Sequence, residues 1–345
     1  MQNKIISKQD LVNFVNNLIK EKAAEEIVGV KASDGKYAFG KLANASELCL
    51  DYDVTLLPPK KYFLPQKETV LKFKLGDKPS VEPVADAKSI IIIGVHPYDI
   101  KAIELCDAVY TSTNPDPNYL LKRNKAAIIG VDCLNPNPKA FCPSLGTATV
   151  ESGFDLMLTD IGDSYVVAVG TDNGDKLLKK YAKTKAATES ELAQRDNQRK
   201  QALGKYKVSL NMPSSEVPGL LEASWDSPVF KEKSETCLSC GSCVMVCPTC
   251  VCFDVQDDIA LTLDKGERYR QWDACMLVDF AKVATGENFR DDKEKRFRHR
   301  MYRKGMYLIT RYEKPGCVGC GRCALACLAQ IASPAETFNL LKEAS

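Results

Sequence analysis

Residues 235–255, ETCLSCGSCVMVCPTCVCFDV, hold Cys237, Cys240, Cys243 and Cys247 in the spacing C-x-x-C-x-x-C-x-x-x-C, with Pro248 directly after. The spacing recurs at 315–330, PGCVGCGRCALACLAQ, through Cys317, Cys320, Cys323 and Cys327, although Leu328 stands where the first copy has proline. Soft thiolates select iron–sulfur clusters, zinc or copper(I) over harder ions. Three cysteines, each two residues from the next, wrap one corner of a [4Fe-4S] core.

Such a run is the ligand pattern of bacterial two-cluster ferredoxins, in which the fourth cysteine normally ligates the other cluster. The expected sets are therefore Cys237, Cys240, Cys243 and Cys327 for one cluster, and Cys317, Cys320, Cys323 and Cys247 for the other. Gly241, Gly319 and Gly321 suit this reading, because a tight wrap needs unusual φ and close backbone approach, with N–H groups facing an anionic core. Structural zinc sites more often show two C-x-x-C pairs than a duplicated three-plus-one run. Disulfides would need an oxidising compartment, of which there is no sign.

At 345 residues the chain has room for two or three domains. A formal net charge of +2 gives no long-range field for nucleic acid or acidic membranes. The 15 cysteines would suggest disulfides in a secreted protein, but Met1-Gln2-Asn3-Lys4 begins no signal peptide. The longest apolar run, Ile90 to Val95, is far too short to span a membrane. A reducing cytoplasm, as in an anaerobe, is the expected location.

Ser7 is a helix cap with Asp10 in the first turn, and Leu11, Phe14, Val15, Leu18 and Ile19 share one face. Residues 25–40 read as a hairpin around Asp34-Gly35. Pro58, Pro59 and Pro65 make 52–66 an extended connection. From residue 69 the pattern becomes α/β: TVLKFKL, SIIIIGV, KAAIIGVDC, FDLMLTDI and YVVAVGT are strands, and 99–110 is a helix. Neither G-x-G-x-x-G nor G-x-x-x-x-G-K-[ST] occurs, so no dinucleotide or triphosphate fingerprint is present. Residues 186–207 read as a solvated helix or linker.

The 69 residues between Cys247 and Cys317 exceed a minimal ferredoxin and read as mostly helical, with 268–286 apolar at helical spacing. The basic stretch 293–314 includes Arg296, Arg298, Arg300, Arg303 and Arg311 beside Phe297, Tyr302 and Tyr307. Nucleic acid is one reading. The near-neutral whole favours the other, in which these cations form a solvated face or offset thiolate-ligated clusters, and docking of an acidic electron donor is a third.

Cys250, Cys252 and Cys275 complete no fourth ligand and read as buried thiols beside the first run rather than a third site. Cys133 and Cys142, in the proline-rich loop 130–146, are half a site. Cys49 and Cys106 read as core cysteines. With only His96 and His299 present, a histidine-dependent hydrolase is excluded, and no catalytic residues are assigned.

The succession CLSCGSCVMVCPTCVCFDV, RQWDACM, GENFR, a basic helix and CVGCGRCALAC resembles the family of anaerobic sulfite reductase A-subunits and sulfhydrogenase beta subunits. GVHPYDIKAIELCD and AAIIGVDC extend the likeness over nearly the whole chain. The resemblance implies a subunit carrying electrons between a flavin- and NAD(P)H-binding partner and a catalytic sirohaem or [NiFe] partner, with ferredoxin as a further donor. It implies two [4Fe-4S] clusters here and the flavin in the partner. Family members often place cysteines at the positions of Tyr98 and Ala140, which with Cys133 and Cys142 would make four thiols; that site is expected to be lost or altered here. The overall expectation is an α+β protein: an N-terminal α/β domain, 1–222, then a C-terminal α-helical ferredoxin-like domain, 223–345. The alternatives are a flavin-binding oxidoreductase with its own pocket in the first domain, and a zinc-binding interaction module.

Overall fold

The computed structural model describes residues 2–345. β1 (Gln2–Ser7) leads into α1 (Lys8–Lys20), whose start is fixed by the Asp10 N–H donating to the Ser7 hydroxyl; Leu11, Phe14, Val15 and Leu18 are its buried stripe. β2 (Glu26–Ser33) and β3 (Lys36–Lys41) form the hairpin, with Asp34 and Gly35 both left-handed at φ 50° and 70°. That pair of positive φ values gives a two-residue turn the twist its strands need.

β4 (Lys67–Lys74) and β5 (Ser80–Pro83) follow. β6 (Ile90–Val95), α2 (Pro97–Thr111), α3 (Pro117–Asn124), β7 (Ala126–Val131), β8 (Leu156–Asp160), β9 (Ser164–Val169), α4 (Asp172–Tyr181) and β10 (Lys185–Ala186) complete the first region. Among the described residues, one sheet has the order β10-β1-β9-β8-β7-β6-β2-β3. Its centre, β2-β6-β7-β8, is parallel and its flanks are antiparallel. All six residues of β6 are buried, as a strand covered on both faces requires.

α5 (Glu189–Leu203), opened by a capping box between Thr188 and Glu191, crosses to the second region. There α6 (Val217–Ala223), α7 (Pro228–Glu235), α8 (Ser242–Met245), β11 (Phe253–Ile259), β12 (Lys265–Trp272), α9 (Lys293–Tyr302), α10 (Leu308–Tyr312), α11 (Arg322–Ala326) and α12 (Pro334–Glu343) surround a separate apolar core containing Leu221, Phe230, Phe297, Met301 and Phe338. A π-turn, Arg303–Tyr307, joins α9 to α10.

This second region is mixed, not all-helical. Residues 268–286, expected as a helix, are the end of β12 and irregular chain with a short 3-10 turn at Val278–Ala281. Partners distant in sequence explain the difference: Arg270 reaches Glu68 and Asp116, and the Trp272 indole donates to the Leu64 carbonyl at 2.9 Å. Arg268 pairs across the hairpin with Asp257. Nor does β4 join the α/β sheet. It pairs with β12 in a second, antiparallel sheet of order β11-β12-β4-β5, so strands from before and after position 222 share one sheet. Among the described residues no helix is long and apolar enough to cross a membrane.

Candidate metal centres

The two cysteine runs adopt the same backbone course. In the first, Ser239 and Gly241 take φ of 52° and 74°; in the second, Gly319 and Gly321 take 67° and 77°. Each pair of left-handed residues curls the chain so that an N–H turns back on the first sulfur. Ser239 N–H donates to Cys237 Sγ, and Gly319 N–H to Cys317 Sγ, both at 3.4 Å. Glycine is required in the second run by contact as well, since a Cβ on Gly319 would lie 2.7 Å from the Cys142 nitrogen.

Cys237, Cys240, Cys243 and Cys327 line one recess. The fourth cysteine of the second run thus lies with the first three of the first run, as the crossed pairing requires. Burial pushes the Cys243 thiol up to about 11, with Arg300 opposing and Cys323, Cys327 and Cys237 adding to the rise. Cys240 is exposed, and its thiol is lowered by contacts with Ser242. Leu238 and Leu328 stand at the rim, 62% and 84% exposed.

Cys247 faces the other three thiols. Cys317 is pushed up to about 12 by burial first, then by the proximity of Cys323 and Cys247, and Cys320 and Cys323 are raised by burial with Cys247 again contributing. Cys247 goes the other way: burial is the largest single influence and raises it, but the Lys304 ammonium, the Thr249 hydroxyl and Lys60 together leave the thiol below its ordinary value. This second centre is walled by the loop that follows β7. Phe141 N–H donates to the Gly319 carbonyl at 2.8 Å, Asn137 to the Cys320 carbonyl at 2.8 Å, and the Thr147 hydroxyl to the Val318 carbonyl at 2.7 Å.

Two cations test whether these residues fit anionic clusters. Arg300 is 1% exposed; its guanidinium faces Cys243, Cys323, Cys247 and Cys275, and Nε and Nη2 have no hydrogen-bond partner among the described residues. Lys304, held in the π-turn, donates to the Thr249 hydroxyl at 2.8 Å, and that hydroxyl lies 3.3 Å from Cys247 Sγ. No described carboxylate forms an ion pair with either. An unpaired buried cation costs several kcal/mol, so both positions call for a nearby anion. Thiolate-ligated clusters are anions of that kind, and the donor set fits them. Among the described residues no three His, Cys, Asp or Glu side chains converge as tightly as a single metal ion needs; a cubane core holds its thiolates farther apart.

The basic stretch is therefore divided. Arg300 and Lys304 are buried against the thiols, while Arg298 pairs with Glu294 and stacks on Trp225. The sequence did not single out Arg300 or Lys304 from their neighbours. It also missed Arg322, whose guanidinium, behind the second centre, pairs with the buried Asp99.

Tyr98, Ala140, Cys133 and Cys142 do meet, in one small buried cluster beside Val318 and Cys320. The Tyr98 hydroxyl donates to the Asp53 carbonyl at 3.1 Å, and the Tyr206 hydroxyl bonds to both thiols; burial raises Cys133 to about 12 and Cys142 well above its ordinary value. Cys106 is buried, with its thiol 3.8 Å from the Pro248 carbonyl, and Cys49 is half-buried. His96 is fully buried, its ring nitrogens 3.0 Å from the Val131 carbonyl and 3.1 Å from that of Tyr52, which gives it a structural post. The cleft beside the ends of β7 and β8 is lined by Lys8, Asp51, Asp132 and Asp160, with Asp160 paired to Lys8 and Asp132 to Arg199.

Comparison with known proteins agrees with this geometry. A family model described as a 4Fe-4S dicluster domain matches residues 236–331. Sulfhydrogenase 2 subunit beta of Pyrococcus furiosus is 35% identical over 323 residues, 92% of each chain. A chain from a solved structure, the xenon-derivatized F420-reducing [NiFe] hydrogenase complex of Methanosarcina barkeri, aligns over 65% of this chain and 93% of its own, with 9% identity and a TM-score of 0.36, too remote to bear on the fold.

Proposed function

Since the chain belongs to the family of sulfhydrogenase beta subunits, we propose that it is the iron–sulfur electron-transfer subunit of a hydrogenase-type oxidoreductase complex. The observation that carries this is the crossing of the two runs: Cys327 lies with Cys237, Cys240 and Cys243, while Cys247 lies with Cys317, Cys320 and Cys323. Two adjacent [4Fe-4S] clusters each supply a one-electron couple when bound. The chain's own residues set how that couple behaves: N–H donors at Ser239 and Gly319, cations at Arg300 and Lys304, and burial of the second centre all favour added negative charge or shield it from water.

The first centre is the proposed outer station, because Cys240 is exposed and Leu238 and Leu328 offer apolar contact around it. The second is the inner one. The proposed partners are a flavin- and NAD(P)H-binding subunit together with a catalytic [NiFe] or sirohaem subunit, with ferredoxin as an alternative donor and a reducing cytoplasm as the setting.

The test uses the assembled complex. Cys240→Ser and Cys320→Ser should each remove one cluster, seen by iron content and electron paramagnetic resonance, and interrupt NAD(P)H-driven reduction of the catalytic partner. Undiminished turnover in both variants defeats the proposal.

A further inference from the structure

Lys60 is a buried cation that reaches the cysteine runs from the other half of the chain. It is 4% exposed and sits in the 3-10 turn Pro59–Tyr62, in the proline-led segment of the α/β region. Its ammonium donates to the Cys250 carbonyl at 2.7 Å and lies 4.5 Å from the centre of the Trp272 ring. A carbonyl dipole and a ring face hold an ammonium in place without neutralising it. No described carboxylate forms an ion pair with Lys60, and Asp107, on the helix packed against this turn, is paired with Arg123. A buried charge left in that state calls for an anion nearby.

The surrounding thiols show which anion that is. The Lys60 charge bears on Cys106, Cys250 and Cys247. Burial pushes the Cys106 thiol up to about 12, so it supplies no charge. Cys250 is in hydrogen-bond contact with Cys252, which also reaches Cys275, so these three thiols partner one another. Of the residues Lys60 acts on, Cys247 alone is assigned to a cluster. Cys240 and Cys243, in the first centre, take their shifts from Ser242 and from burial opposed by Arg300 instead.

We propose that Lys60 raises the reduction potential of the second centre and leaves that of the first unchanged. Cys247 then has one cation from each half of the chain, Lys304 from the π-turn and Lys60 from the α/β region. Burial of the second centre disfavours the negative charge that reduction adds, and two unpaired ammonium groups offset this. Arg322, also behind that centre, adds little because Asp99 neutralises it. Lys60 forms and breaks no bond in the step; it acts through its field.

The inference rests on the two-centre reading, and the measurement separates the two. Lys60→Met removes the charge, Lys60→Gln removes it but keeps a donor for the Cys250 carbonyl, and Lys60→Arg keeps it. Each is placed in full-length chains carrying Cys240→Ser, to retain the second cluster alone, or Cys320→Ser, to retain the first alone. Midpoint potentials are read by redox titration followed by electron paramagnetic resonance, with iron counted per chain. At a separation of ~12 Å and an effective dielectric of ~20, one charge moves a one-electron equilibrium about tenfold, or about 59 mV. The methionine and glutamine variants should lower the second-centre potential by about that much, the arginine variant should restore most of it, and the first-centre potential should not move. Where methionine costs the second centre its iron, glutamine carries the measurement. An unmoved second-centre potential, or an equal shift in both backgrounds, overturns the role of Lys60. So does a fall confined to the methionine variant, which would trace it to the lost hydrogen bond. A parent chain that binds no iron sinks the two-centre reading instead.

Discussion

Arg322 and Asp99 form a two-pronged ion pair: each carboxylate oxygen lies 2.7 Å from a different guanidinium nitrogen, with side-chain exposures of 2% and 0%. Two further donors of Arg322 go to the Thr55 carbonyl and hydroxyl, each at 2.8 Å. Arg322 directly precedes Cys323, so this pair ties the second ligand run to the start of α2. Asp99→Asn would leave the guanidinium buried against a neutral amide. The expected loss is about 3–5 kcal/mol of stability, together with iron from the second centre only. Thermal unfolding and iron content of the variant check this; wild-type values for both would show the pair to be dispensable.

Arg300→Met removes a buried positive charge from beside both proposed clusters. At a separation of ~8 Å and an effective dielectric of ~20, one unit charge contributes about 2 kcal/mol, on the order of 90 mV for one electron. The sign is fixed, because reduction adds negative charge that Arg300 stabilises. Both potentials should fall, and Arg300→Lys should restore part of the shift. A redox titration followed by electron paramagnetic resonance decides, and unchanged potentials in the methionine variant would refute the electrostatic role.

Cys133→Ala with Cys142→Ala tests the small buried cluster near the second run. Both thiols already have the Tyr206 hydroxyl as partner, and a tyrosine and an alanine, Tyr98 and Ala140, complete their buried cluster. Iron content should therefore be unchanged, with a loss of about 1–2 kcal/mol from two shallow cavities and a stranded tyrosine hydroxyl. Loss of iron would mean that the pair ligates metal after all.

Burial lowers the pKa of both histidines, and His299 is the less buried of the two. Burial first, then the Arg290 and Arg303 cations, depress its folded pKa from 6.5 to about 4. The unfolded chain thus binds more protons between pH 4 and 6.5, and stability rises with pH across that window. It is fully present above the upper end and is lost as pH falls. His299→Gln should flatten this slope, so the stability gap between wild type and variant should change from pH 5.5 to pH 7.5 in denaturant unfolding. An identical slope in both proteins would rule the histidine out.

How far the sequence could be read depended on whether the cause was local. The ligand runs are local: cysteine spacing and the glycines at 319 and 321 declare the wrap, and crossing follows from the duplicated pattern. Ser7, the Asp34-Gly35 turn and the apolar run at 90–95 are local too, and each formed the element expected. β4 shows the limit. Its alternation marks a strand, but nothing within 69–75 says that the partner is β12, 198 residues away at the Thr69–Glu267 contact. The same alternation in Arg268, Tyr269, Arg270 and Trp272 reads as a helical stripe, because the apolar residues that follow are spaced for either. Arg300 and Lys304 were lost among seven neighbouring cations for a similar reason. Charge pattern shows a basic segment; only the packing of α9 and the π-turn shows that Arg296, Arg300 and Lys304 are buried and that the last two face thiols. Cys275 lies too far from Cys250 and Cys252 in sequence for spacing to join them.

The shared sheet has a consequence for synthesis on the ribosome. β4 and β5 leave the exit tunnel long before β11 and β12 exist, and at about 5–20 residues per second β4 waits about 10–40 s for its central partner. During that interval the exposed edge of β4 can pair only with the short β5, whose partner positions run from Leu71 to Lys74. The nascent α/β region therefore carries an unfinished ribbon until the first cysteine run has already emerged. Completion of the ribbon by β12 fixes Trp272 and, three residues later, Cys275. In this chain the order of translation makes closure of the second sheet and assembly of the thiols one late event.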